Sequence, residues 1–90
     1  MVLRFTYCNN YQVIKIGNNC IINSHSLIEH EVEVKNDCHI STRVTLNGGV
    51  TVGAGSFVGS GVVVKEGIQI ATNSVVRMGS HIYKNVDNTD

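Results

Sequence analysis

The chain has no proline and no tryptophan, and its 90 residues carry a formal net charge of zero. Zero net charge removes any broad electrostatic pull toward nucleic acid or an anionic membrane. No apolar run approaches the roughly 20 residues of a membrane helix. The opening MVLRFTYCNNYQ lacks the apolar stretch of a secretory leader. The three cysteines are odd in number and lack zinc-ligand spacing. That points to a reducing cytoplasm rather than a disulfide framework. The length allows one small domain with a marginal core. Glycine is abundant, at nine, and Val and Ile dominate the apolar set, which favours strands over helices.

Those residues are arranged in a repeat. Cut every six residues from Ile16, the chain reads IGNNCI, INSHSL, IEHEVE, VKNDCH, ISTRVT, LNGGVT, VGAGSF, VGSGVV, VKEGIQ, IATNSV, VRMGSH, IYKNVD, which is twelve hexads ending at Asp87. The first place is always Ile, Val or Leu, and the fifth is always small or β-branched. The fourth is Gly, Asn or Asp in nine of the twelve, the exceptions being His25, Glu31 and Arg43. Gly, Asn and Asp best tolerate positive φ. Each hexad therefore reads as a short strand followed by a tight turn with one left-handed residue. A six-residue period excludes an amphipathic helix, whose apolar places recur at three and four.

This pattern resembles the hexapeptide-repeat family, which folds as a left-handed parallel β-helix. The resemblance implies an all-β solenoid of about four triangular coils, 16–33, 34–51, 52–69 and 70–87. Residues 1–15 would form an N-terminal cap or irregular partial coil, and 88–90 a C-terminal tail. Residues eighteen apart then stack about 4.8 Å apart. Three inward ladders follow: Ile16, Val34, Val52 and Ile70; Ile22, Ile40, Val58 and Val76; Ile28, Leu46, Val64 and Ile82. Cys20 and Cys38 share the fifth place and should stack as small buried hydrophobes.

Departure from a structural rule invites a functional reading. Glu31 is one such departure, and His30 adjoins it. The stretch INSHSLIEHEVEVKNDCHISTRVTLNGGVTVG resembles one acyltransferase subgroup, the sialic-acid O-acetyltransferases and the UDP-4-amino-sugar and other nucleotide-activated amino-sugar N-acetyltransferases. The matching elements are Ile22-Asn23, Ile28-Glu29-His30-Glu31, His39-Ile40-Ser41, Asn47-Gly48-Gly49 and Val50 to Gly59. The resemblance implies transfer of acetyl from acetyl-CoA to an amino or hydroxyl group of a sugar or nucleotide-activated sugar, without a metal. His30 would be the general base and Glu31 its tuning partner. Imidazole suits proton removal at neutral pH, and an adjacent carboxylate raises its basicity. A backbone N–H at Gly48, eighteen residues after His30, could serve the oxyanion. By position in the motif, His39, Gly48, Ser60 and Met78 would contact the coenzyme. His39 lies half a coil from His30, so the two should face different sides of the prism. A homotrimer, with the coenzyme between neighbouring subunits, would bring them to one site.

The family usually also carries an N-terminal α/β domain that binds the nucleotide-sugar, and a loop beyond the last coil. The resemblance does not extend to either, which leaves open a separate substrate-binding subunit or a loose choice of acceptor. Two rival readings stand beside the enzyme. One is a non-catalytic solenoid trimer or one half of a two-part enzyme, needing only the hexads. The other is a metalloenzyme like the γ-class carbonic anhydrases, suggested by the H-x4-H spacing of His25 and His30, with its third ligand expected about two coils upstream.

Overall fold

The computed structural model describes residues 2–9 and 12–87, with side chains from Val13 onward; the tail expected at 88–90 lies outside the described residues. β1 (Val2–Asn9) runs antiparallel to the long strand β2 (Gln12–Ile22). Ten strands of two residues each follow, one per hexad. They are β3 (Leu27–Ile28), β4 (Glu33–Val34), β5 (His39–Ile40), β6 (Thr45–Leu46), β7 (Thr51–Val52), β8 (Phe57–Val58), β9 (Val63–Val64), β10 (Gln69–Ile70), β11 (Val75–Val76) and β12 (His81–Ile82). The described residues contain no helix. The chain is a left-handed parallel β-helix of about four coils.

Pairing joins residues eighteen apart, as in Ile16 with Val34 and Val34 with Val52. Three faces result. Face A is built by β2, β4, β7 and β10, face B by the end of β2 with β5, β8 and β11, and face C by β3, β6, β9 and β12. Between coils the amides of the strand-entry residues from Lys15 to Val63 donate to a carbonyl seventeen residues on, as Lys15 N to Val32 O at 3.0 Å and Ile21 N to Cys38 O at 2.9 Å. At the corners the fourth-place amide donates backward, as Asp37 N to Asn18 O at 2.9 Å. Backbone polar groups thus find partners even though each strand is two residues long. β1 covers the outer edge of β2, the strand that would otherwise offer its amides to solvent.

The expected ladders form the core. Val34, Val52, Ile40, Val58, Leu46 and Val64 are fully buried, and the end members Ile22, Ile28 and Ile82 are partly so. Fifth-place residues complete the core, Cys20, Val32, Cys38, Val44, Val50 and Val62 among them. Fifth-place serines bond to backbone, as Ser56 Oγ to Ala71 O at 3.0 Å and Ser26 Oγ to Ser41 O at 2.8 Å. The two stacked cysteines are free thiols, each donating to a carbonyl: Cys20 Sγ to Lys35 O at 3.0 Å and Cys38 Sγ to Gly53 O at 3.1 Å. Burial pushes the Cys38 thiol up, because the thiolate loses solvation there.

Eleven hexads carry a left-handed residue at the fourth place, six of them non-glycine and five glycine. His25, Glu31 and Arg43 obey the same geometry, at φ 61°, 59° and 59°. The turn conformation is therefore imposed by the coil, and these three side chains carry its steric cost of roughly 1–2 kcal/mol each. The twelfth hexad departs from the expected register. Asn85 is not left-handed. Its side-chain oxygen accepts from Gln69 N at 2.8 Å, and Ala71 N donates to Val86 O. A side-chain carbonyl thus stands in for a backbone one, and Val86 bridges Ile70 sixteen residues away instead of eighteen.

Two measurements probe this core. Leu46→Ala should lower unfolding free energy by about 2–5 kcal/mol in chemical denaturation, because Leu46 is fully enclosed. For Cys38, folding raises the thiol's pKa. Stability from that group is complete below the ordinary thiol value of about 8.5 and declines as pH rises beyond it, since only the unfolded chain ionises readily. Denaturation midpoints between pH 7 and 10 should show this decline, and Cys38→Val, which fits a fifth place, should flatten it.

Candidate functional site

The turns stack at three corners. At one of them the third-place residues are His30, Gly48 and Glu66, and the fourth-place residues are Glu31, Gly49 and Gly67. These six line an open groove of about 390 Å³. His30 leaves the third place of its hexad at the corner, where its side chain is exposed. Its ring lies over Gly48: a Cβ added at Gly48 would sit 2.6 Å from His30 Cε1 and 2.7 Å from Nε2. Only glycine leaves that space for imidazole. The Gly49 amide is committed to the His30 carbonyl at 3.0 Å, and the Gly48 carbonyl accepts from Gly67 N at 2.9 Å. Among the described residues the Gly48 amide has no hydrogen-bond acceptor, and it lies one coil from His30.

Glu31 shares the groove with His30, but no hydrogen bond or ion pair joins their side chains. Glu31 also borders a second hollow beside face A, of about 320 Å³, lined by Val13, Lys15, Val32 and Glu33. Glu66 enters the first groove two coils from Glu31. The site therefore holds one imidazole, two carboxylates and a strip of glycine backbone.

His39, Ser60 and Met78 lie elsewhere. His39 points outward from β5 on face B, half-buried, with Nε2 3.2 Å from Asn23 Nδ2 and its ring 5.0 Å from that of Phe57. Ser60 and Met78 stack with Thr42 at the corner between faces B and C, where Gly79 N donates to Ser60 O at 2.8 Å and Met78 is exposed. Within one chain none of the three enters the His30 groove. His25 belongs to this second corner and His30 to the other, so their H-x4-H spacing does not converge on one point. Among the described residues no group of three or more His, Cys, Asp or Glu is placed to hold a metal.

Sequence reasoning did not foresee two features. One is the Asn23 contact that orients His39, between residues sixteen apart on adjacent coils. The other is an outward apolar stripe on faces B and C: Leu27, Phe57, Val63 and Val75 are all exposed. The signal was available, since these are sixth-place residues and the sixth place of face A reads Lys15, Glu33, Thr51, Gln69.

The family model described as bacterial transferase hexapeptide (six repeats) matches residues 31–66. That span is six hexads long, opens on Glu31 and closes on Glu66, the two carboxylates of the groove. A search of curated proteins finds no match. The hexapeptide segment supports a transferase-type reading of this solenoid.

The glycines separate a functional contact from a structural one. Gly48→Ala should displace the His30 ring, visible as a shift of its imidazole NMR signals, with a stability change under about 1 kcal/mol because an exposed side chain can swing away. Gly53→Ala should be far more damaging in the same denaturation series. Its Cβ would fall 2.5 Å from Thr72 N and 2.6 Å from Ala71 C, which are backbone atoms that cannot yield.

Proposed function

We infer that the protein is an acyltransferase moving acetyl from acetyl-CoA to an amino or hydroxyl group of a sugar or nucleotide-activated sugar. The observation that carries this reading is the His30 ring lying over Gly48 in an open groove, on a solenoid segment matching a transferase hexapeptide model. The groove fits a thioester carbonyl because Gly48 offers an uncommitted amide and no side chain.

The roles follow from the chemistry. The coenzyme supplies an acetyl group activated as a thioester. His30 accepts the proton from the acceptor's N–H or O–H as the new bond to the acetyl carbon forms. The Gly48 amide donates to the oxygen on which charge develops. The carbon–sulfur bond then breaks, and the imidazolium of His30 returns its proton to the leaving thiolate. Glu31, the residue next to the base, lines the same groove.

Hexapeptide β-helix proteins commonly form trimers. A trimer would bring His39, Ser60 and Met78 of one subunit toward the His30 corner of the next, with the coenzyme between them. The acceptor would be held by the groove or by a separate subunit, and the setting is cytoplasmic.

A second reading has one observation in its favour. The apolar stripe of Leu27, Phe57, Val63 and Val75 suits a solenoid whose task is assembly alone.

The test is release of free thiol from acetyl-CoA in the presence of amino-sugar and nucleotide-sugar acceptors. His30→Ala should lower kcat by about 10²–10⁴-fold while KM for acetyl-CoA stays within a few-fold. Undiminished turnover in that variant removes His30 as the base. A wild-type trimer that never releases thiol favours the assembly reading.

A further inference from the structure

Although the chain is neutral overall, its charges are not evenly spread. Face B, the corner that follows it and the first strand residue of face C comprise residues 21–27, 39–45, 57–63 and 75–81. These four stretches contain no Asp or Glu, but hold Arg43, Arg77 and three of the four histidines, His25, His39 and His81. Every carboxylate lies outside them, Glu29, Glu31 and Glu66 at the His30 corner among them.

At the corner itself the two cations lie on either side of a turn that carries glycine at two of its three places. Arg43 closes the turn of the second coil and Arg77 opens that of the fourth, two coils apart, or about 9–10 Å along the axis. The turn between them is Gly59-Ser60-Gly61. Gly59 is buried, and a Cβ on Gly61 would meet nothing within 4 Å. Both arginines are exposed, and among the described residues neither guanidinium has a hydrogen-bond or ion-pair partner. The Ser60 hydroxyl is likewise uncommitted.

The backbone adds an independent observation. Arg43 is held at φ 59° at a place where five other turns use glycine. An arginine there works against the fold, and strain of this kind gathers where a side chain has a task.

We propose that this corner binds a phosphate or diphosphate ester, held by the Arg43 and Arg77 guanidinium groups over the Gly59-Ser60-Gly61 turn. Planar guanidinium forks match phosphate oxygens, and a carboxylate-free surround leaves their field uncompensated. The inference rests on the acetyl-transfer reading only for its two ligand sources, the coenzyme's phosphates or those of a nucleotide-activated acceptor.

The experiment is a calorimetric titration of the full chain with pyrophosphate, coenzyme A, a uridine diphosphate sugar and acetyl-pantetheine, which lacks the nucleotide phosphates. The variants are Arg43→Gly, Arg77→Ala and their double. Because Arg43→Gly should stabilise the fold, its losses cannot be assigned to misfolding. Each single variant should weaken pyrophosphate about tenfold, the double about a hundredfold, with acetyl-pantetheine unchanged. Parallel losses for coenzyme A make the coenzyme the source; parallel losses for the nucleotide-sugar make it the acceptor. The proposal is overturned if wild type binds neither pyrophosphate, coenzyme A nor nucleotide-sugar, or if the variants bind them as wild type does. Light scattering that shows the variants losing their oligomeric state also overturns it, because the arginines would then serve a neighbouring copy. Arginine-dependent pyrophosphate binding without thiol release in the His30 assay would sink the acetyl-transfer reading and leave this one standing.

Discussion

Everything in this molecule depends on one constraint, that residue i sits directly over residue i+18 at the spacing of two hydrogen-bonded strands. Two-residue strands have no stability of their own. They persist because each is clamped between its neighbours above and below by amide-to-carbonyl bonds of 2.7–3.2 Å, such as Gly53 N to Ile70 O and Asn47 N to Val64 O. The same stacking closes the core, since an inward residue on one coil has its counterpart beneath it on the next. It also aligns the thiols of Cys20 and Cys38, and the Asn19 amide with the Asp37 carboxylate at 3.0 Å. A one-residue slip would turn every inward aliphatic side chain out.

That constraint explains what could be read from the sequence. The three ladders, the fifth-place core and the left-handed turns each occupy a fixed place in a six-residue period, so counting was enough to assign them. The stacked corner of His30, Gly48 and Glu66 follows from the same count. What could not be counted lies where side chains replace backbone. Nothing in the hexad IYKNVD announces that Asn85 will offer its side-chain oxygen to Gln69 N and shorten the last crossing by two residues. The Asn23 contact to His39 is also a side-chain choice, made across coils by two outward residues. Whether the ring of His30 lies over Gly48 or out in solvent was likewise undetermined by periodicity.

The left-handed places carry a different lesson. Sequence patterning marks His25, Glu31 and Arg43 as exceptions, but the backbone makes no exception for them. The coil dictates the dihedral, and the residue type only sets how much strain is stored. Glycine would relieve that strain at all three. Two of the three border the surfaces to which function is proposed, Glu31 at the imidazole groove and Arg43 at the basic corner. The third, His25, shares Arg43's corner.

The groove itself is built by subtraction. A solenoid has no deep clefts, because its coils are uniform and its interior is filled. A corner becomes concave where it loses side chains relative to the coils on either side. At the His30 corner the loss is at Gly48, Gly49 and Gly67, between His30 and Glu66. Glycine at a fourth place eases the left-handed turn, but glycine at the third place does nothing for it: its equivalents at that corner are His30 and Glu66. Gly48 is thus a glycine that the fold does not need. Its effect is to leave imidazole resting on bare backbone beside an amide without a partner among the described residues, with the ring and the amide held one coil apart by the same stacking that holds the core.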